Sequence, residues 1–142
     1  MRLIEEQMLD AIAKQVTDWK SGNTRVNTIG EGESKRINVF LHDNLIAKFE
    51  LGDPDKAKVA FWHCGYPTKT TTSRLNAIAY RYCKVSVFLS HAEVGFITRN
   101  KNHSDISEVV YWLSDSKTAK IEFPLWKRSD DCFPEKMTPL NY

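Results

Sequence analysis

Three cysteines in 142 residues, none spaced as Cys-x-x-Cys, give this chain no sign of a disulfide framework. Their odd number, at Cys64, Cys83 and Cys132, reads as free thiols in a reducing cytosol. No apolar run approaches the roughly 20 residues of a membrane-spanning helix. The opening MRLIEEQMLDAIAKQ carries acids early and lacks the apolar core of a signal peptide. Gly65 is followed by no second glycine before Lys69-Thr70, so there is no phosphate-cradling Walker loop and nucleotide hydrolysis has no support. His42, His91 and His103 lack metal-ligand spacing. His63 and Cys64 are adjacent, so in a strand they point to opposite faces, and a nucleophilic pair would have to be built across the fold. The paired acids Glu5-Glu6 and Asp130-Asp131 sit in polar stretches and read as solvated. These absences describe a non-catalytic chain with no cofactor, no metal, no small-molecule substrate and no membrane partner.

What is present is ordinary for a soluble globular domain: 42% hydrophobic and 27% charged residues. The length fits one domain, residues 1–142, which buries roughly 68–70% of its unfolded surface without staples. The charge is not spread evenly. Between Cys64 and His103, six cations (Lys69, Arg74, Arg81, Lys84, Arg99, Lys101) stand against Glu93 alone. The net charge is only +2, so that surplus of five leaves the remaining residues three short. Such asymmetry bears on partners rather than on fold.

Periodicity predicts an α+β fold. Ile4, Met8, Ile12, Val16 and Trp19 recur at three and four residues, predicting a helix over 3–19 that Gly22 stops. The period then shortens. TRVNTI reads as a strand and GEGES as a turn. RINVFL puts Ile37, Val39 and Leu41 on one face, and LIAKFEL puts Leu45, Ala47, Phe49 and Leu51 on one face. The HDN between them is a turn, which makes a hairpin. KVAFWHC is a further strand. Leu75, Ile78, Ala79 and Tyr82 mark a second helix. KVSVFLS and VGFITRN flank HAE as a second hairpin, followed by a polar NKNHSD loop. Residues 106–113 are ambiguous: a stripe of Ile106, Val109, Val110 and Leu113 and a capping box of Asp105 with Glu108 favour a short helix, while the β-branched content argues for a strand. AKIEF is a late strand, and the chain from about residue 124 reads as an irregular tail.

One stretch carries more chemistry than its fold requires. In CGYPTKTTTSRLNAI, Thr68, Thr70, Thr71, Thr72 and Ser73 surround the helix entry, where capping needs one hydroxyl. The surplus, with Lys69, Arg74 and Arg81, suits phosphate oxygens, which free helix-end amides also favour. Tyr66, in the turn before the helix, is the aromatic best placed to stack a base. The bland alternative is a capped helix with a solvated face. The anion or nucleic-acid site is therefore expected at Tyr66, Thr68, Lys69, Thr70, Thr71, Arg74 and Arg81.

NTRV, then VFLHDNLIA, then GYPTKTTTSRLNAI resembles a pattern of small bacteriophage-encoded proteins. The matching positions are Asn23, Thr24, His42, Asn44, Ile46, Gly65, Tyr66, Thr68, Thr70, Thr71, Arg74, Leu75 and Asn76. Tyr66 stands where the pattern often has tryptophan. The likeness covers about residues 23–99 and leaves out the first helix and everything after Asn100. It implies phage origin and action in the cytoplasm of an infected bacterium, with no implied activity. Two function classes follow. One is a binding protein acting on nucleic acid or on host nucleic-acid machinery. The other is an inhibitor of a bacterial defence or transcription complex, of anti-CRISPR or anti-restriction type, without nucleic-acid contact. A host protein complex is thus the alternative partner to nucleic acid.

Overall fold

Apolar residues at alternate positions of successive strands fall into two rows across one sheet. Val26, Val39, Ala47 and Phe61 form one row, and Thr28, Ile37, Phe49, Val59 and Phe123 the next. A computed structural model describes residues 2–102 and 105–133 and gives these rows their setting. The sheet is antiparallel, in the order β1 (Asp18–Ser21), β2 (Thr24–Ile29), β3 (Arg36–Leu41), β4 (Asn44–Glu50), β5 (Lys58–Phe61) and β9 (Ile121–Pro124). Helices α1 (Leu3–Ala13) and α2 (Lys69–Cys83) touch each other, α1 packing on β2 and α2 on β4. A second antiparallel sheet, β6 (Ser86–Ser90), β7 (Glu93–Asn102) and β8 (Asp105–Trp112), packs through β6 against α2. Phe61, Phe96 and Phe123 join the two sheets, with ring centroids 5.6–6.4 Å apart. The fold is α+β. No helix among the described residues is long and apolar enough to cross a membrane.

Four local expectations change. The first helix stops at Ala13, not at residue 19. Gln15 takes a left-handed backbone (φ 50°), its N–H bonding the Ile12 carbonyl while that of Val16 bonds Ala11. That is a Schellman end made without glycine, and it frees Trp19 for β1. Residues 106–112 are strand rather than the favoured helix, each standing opposite a residue of β7. The β-branched run suits the extended ladder it forms with β7, and Val109 and Val110 stay exposed on it. In β4 a bulge opposite Val39/Phe40 leaves Ile46 as the extra residue, so Ile46 and Ala47 are both buried and Leu45 turns to the half-buried side.

The fourth concerns the expected tail. Its described part is seated: Leu125 and Phe133 are buried, and a single turn α3 (Ser129–Cys132) separates them. The Phe133 ring stacks on Tyr82 at 5.2 Å and meets Phe49 edge-on at 5.9 Å. Residues 134–142, and His103 with Ser104 of the expected polar loop, lie outside the described residues.

Candidate functional site

Three segments meet at the entry of α2. The β3–β4 hairpin closes through His42 and Asp43, both left-handed (φ 52° and 65°). Asn44 pairs directly with the inward Leu41, so both look to the helix side of the sheet. The bulge turns Ile46 to that side as well. After β5, Cys64 and Gly65 take left-handed backbones (φ 56° and 80°), and the Tyr66 N–H closes the turn onto the His63 carbonyl at 2.9 Å. The left-handed backbone favours glycine at 65, and the Lys117 side chain packs over it, 2.8 Å from where a Cβ would stand. Pro67 then leads into α2. The result is a cleft of about 500 Å³ lined by Leu41, His42, Asn44, Ile46, His63, Tyr66, Thr68, Thr70 and Thr71. Most of the resemblance positions in the hairpin and the helix entry fall here.

The hydroxyls sort into spent and unspent. Thr68 is the N-cap: its Oγ1 accepts the Thr71 N–H and donates to Thr71 Oγ1, both at 3.1 Å. Thr72 Oγ1 donates to the Thr68 carbonyl at 2.8 Å, and Ser73 Oγ donates to Glu5 at 2.5 Å. Thr70 is left over. His63 is also spent: Nδ1 accepts the Gly65 N–H at 2.9 Å, so Nε2 carries the proton and donates to the Ser114 carbonyl at 2.8 Å. Cys64 points elsewhere, its thiol donating to the Leu45 carbonyl at 3.0 Å, and burial pushes that thiol up. The adjacent pair therefore makes no Cys–His couple. Among the described residues no three of His, Cys, Asp and Glu gather as a metal site requires.

The expected cations do not come together. Arg74 is only 6% exposed; its Nη1 lies 2.7 Å from Glu5 Oε2 and its Nε donates to Thr24 at 3.2 Å. The reading of Arg74 as a solvent-facing phosphate contact is corrected, and so is that of Glu5 as a solvated acid. A helix end carries its side chains all round, and these two point into the α1–α2–β2 junction. Lys69 is exposed beside the cleft but does not line it. Tyr66 is exposed, as the turn implied.

Arg81 lies at the far end of α2, on a surface that the sequence reading missed. There Tyr80 is 60% and Trp126 48% exposed. Lys84 Nζ stands 4.5 Å from the Trp126 ring centre and 5.8 Å from that of Tyr80, and Lys127 Nζ stands 4.3 Å from that of Trp126. The Trp126 N–H bonds the Tyr82 carbonyl at 2.9 Å, which fixes the late segment on the helix. The available signal was LWKR, an aromatic followed by two cations at 125–128, inside a stretch that reads as tail. Tyr82 and Phe96, two further aromatics of the basic stretch, are core.

The family model described as Kyanoviridae Gp96 protein matches residues 1–119, taking in α1 as well as the span that the phage-type resemblance covered. No curated protein and no solved structure matches the chain.

Proposed function

The chain belongs to the Kyanoviridae Gp96 protein family and is a small phage-encoded protein, and from that premise we propose that it is a non-catalytic, cytoplasmic binding protein for single-stranded nucleic acid. One observation carries the reading: an indole half open to solvent with ammonium groups at 4.3 and 4.5 Å, one of them also 5.8 Å from the exposed Tyr80 ring. An exposed cation–π contact contributes about 0.5–1 kcal/mol, whereas a base stacked on an aromatic side chain contributes about 1–3 kcal/mol. A base therefore displaces a lysine from the ring, and the released ammonium meets the neighbouring phosphate. Nothing in this arrangement reads base edges, so recognition is sequence-tolerant.

The test is anisotropy of a labelled thymidine oligonucleotide over a series of salt concentrations. The logarithm of the affinity falls linearly with log salt, and both Trp126→Ala and the pair Lys84→Glu/Lys127→Glu weaken binding by about tenfold or more. Reversal of Lys14 and Lys20, which line a separate groove, serves as the control. Equal losses in both pairs, or no binding by the parent, would sink the reading.

A second reading rests on β8. Val109, Val110, Tyr111 and Trp112 are four successive exposed apolar residues on the last strand of the second sheet. Such an edge favours a protein partner, in keeping with an inhibitor of a host complex. Capture that survives nuclease and high salt selects this reading over the first.

A further inference from the structure

We infer that the cleft at the entry of α2 is a binding site for an uncharged nucleobase, taken as a nucleoside. It stands apart from the strand-binding surface, separated from it by a helix of 15 residues, about 22 Å long.

Size comes first. The cleft's volume of about 500 Å³ lies inside the roughly 300–1,000 Å³ typical of small-molecule sites. Its floor is apolar, made by Leu41 and by Ile46, which the β4 bulge turns inward. Bulges of this kind re-aim side chains beside functional sites.

Unspent chemistry is the second argument. Around this cleft Thr68, Thr71 and His63 use their polar atoms within the protein. The side chains of His42, Asn44, Tyr66 and Thr70 have no hydrogen-bond partner among the described residues, and they reach the cleft from three different segments. Four free polar groups over an apolar floor are a constellation that folding alone does not ask for.

Charge decides the ligand class. No acidic, lysine or arginine side chain lines the cleft, and Arg74, the cation expected there, is neutralised by Glu5 below it. A phosphate or carboxylate brought in would lose its hydration without gaining a counter-charge. A flat heterocycle meets what is present. Its face lies on Leu41 and Ile46, its other face is open to Tyr66, and its edge takes the donor and acceptor of the Asn44 amide. That amide suits adenine, whose edge offers one acceptor beside one donor. Thr70 and His42 supply the remaining donors and acceptors.

The test uses the whole chain, isotope-labelled for amide spectra. Adenosine, guanosine, cytidine and uridine are each titrated to millimolar concentration. Saturable shifts are expected at Asn44, Tyr66, Thr70 and Thr71 with adenosine the tightest, and its 5′-monophosphate should bind within about threefold of the nucleoside. Asn44→Ala and Thr70→Val should each weaken binding by about tenfold while the melting temperature holds. Lys84→Glu/Lys127→Glu should leave it unchanged, which separates this site from strand binding. No saturable shift with any nucleoside overturns the inference. So does parent-like binding by both cleft variants, or a monophosphate about tenfold tighter, which would make the cleft an anion site.

Discussion

Arg74 shows how one side chain changes meaning with its surroundings. Beside a threonine cluster it reads as a phosphate contact. In the structure it is a buried cation whose partner, Glu5, lies 69 residues away, with Ser73 and Thr24 completing the network. Removing one member of such a pair strands the other charge in a poor solvent, at about 3–5 kcal/mol. Arg74→Met and Glu5→Met are each expected to lower stability by that order. The double variant should recover most of the loss, since a well-packed apolar pair often replaces a buried ion pair at little cost. Chemical unfolding of the three variants checks this, and two losses that simply add would show that the charges do not interact. A charge-reversal test of nucleic-acid binding at this residue would mainly report unfolding. Gln15 illustrates the same limit, because a left-handed glutamine does the work that a sequence reader looks for in glycine.

At the scale of the element, α2 was legible and β8 was not. The stripe Leu75, Ile78, Ala79 and Tyr82 is buried as its spacing implies, and Lys84, left-handed at φ 58°, ends the helix. The capping residue is Thr68, whereas Thr70 looks into the cleft and makes no cap. Thr68→Ala is therefore expected to cost about 1 kcal/mol, and Thr70→Ala much less. Thermal melts of both variants decide it; the reverse order would place the helix start two residues later. For β8 the local signals conflicted. Apolar residues at 106, 109, 110 and 113 match a helical stripe, and antiparallel pairing with β7 along the whole segment overrode them.

Taken whole, the molecule is closed by its late segment. Phe133 stacks on Tyr82, beside Cys83, and β9 completes the six-stranded sheet. This closure has a titration signature. Burial first, offset in part by Arg81, pushes Tyr82 up to about 12, and burial, with Cys132 adding to it, pushes Cys83 up to about 12. The unfolded chain ionises these groups near 10 and 9, while the folded chain keeps them neutral. Their stabilisation is thus complete below pH 9 and is lost as pH rises towards 12. Melting temperature should fall over that window, and the advantage of the parent over Cys83→Ala should shrink as pH passes 9. A constant gap between the two up to pH 11 would count against a buried thiol. The three cysteines are free, so reducing agent should leave the melt unchanged.

The sequence by itself determined what depends on neighbours along the chain. The two hairpins, turning at His42-Asp43 and His91-Ala92, follow from apolar strand runs on either side of a short break, and the inward faces of β3 and α2 follow from period. The mixed fold follows from those elements. Only the tertiary structure decided which cations meet solvent, which hydroxyls remain free, and that the late LWKR segment lies against the end of α2. Arg74 and Arg81 are seven residues apart on one helix, yet one is neutralised by Glu5 and the other is exposed, over the Tyr82 ring. The physical reason is that burial and electrostatic pairing are properties of position in space. A side chain's charge is written in the sequence, but the partner that cancels it or leaves it available comes from chain segments that folding alone brings near.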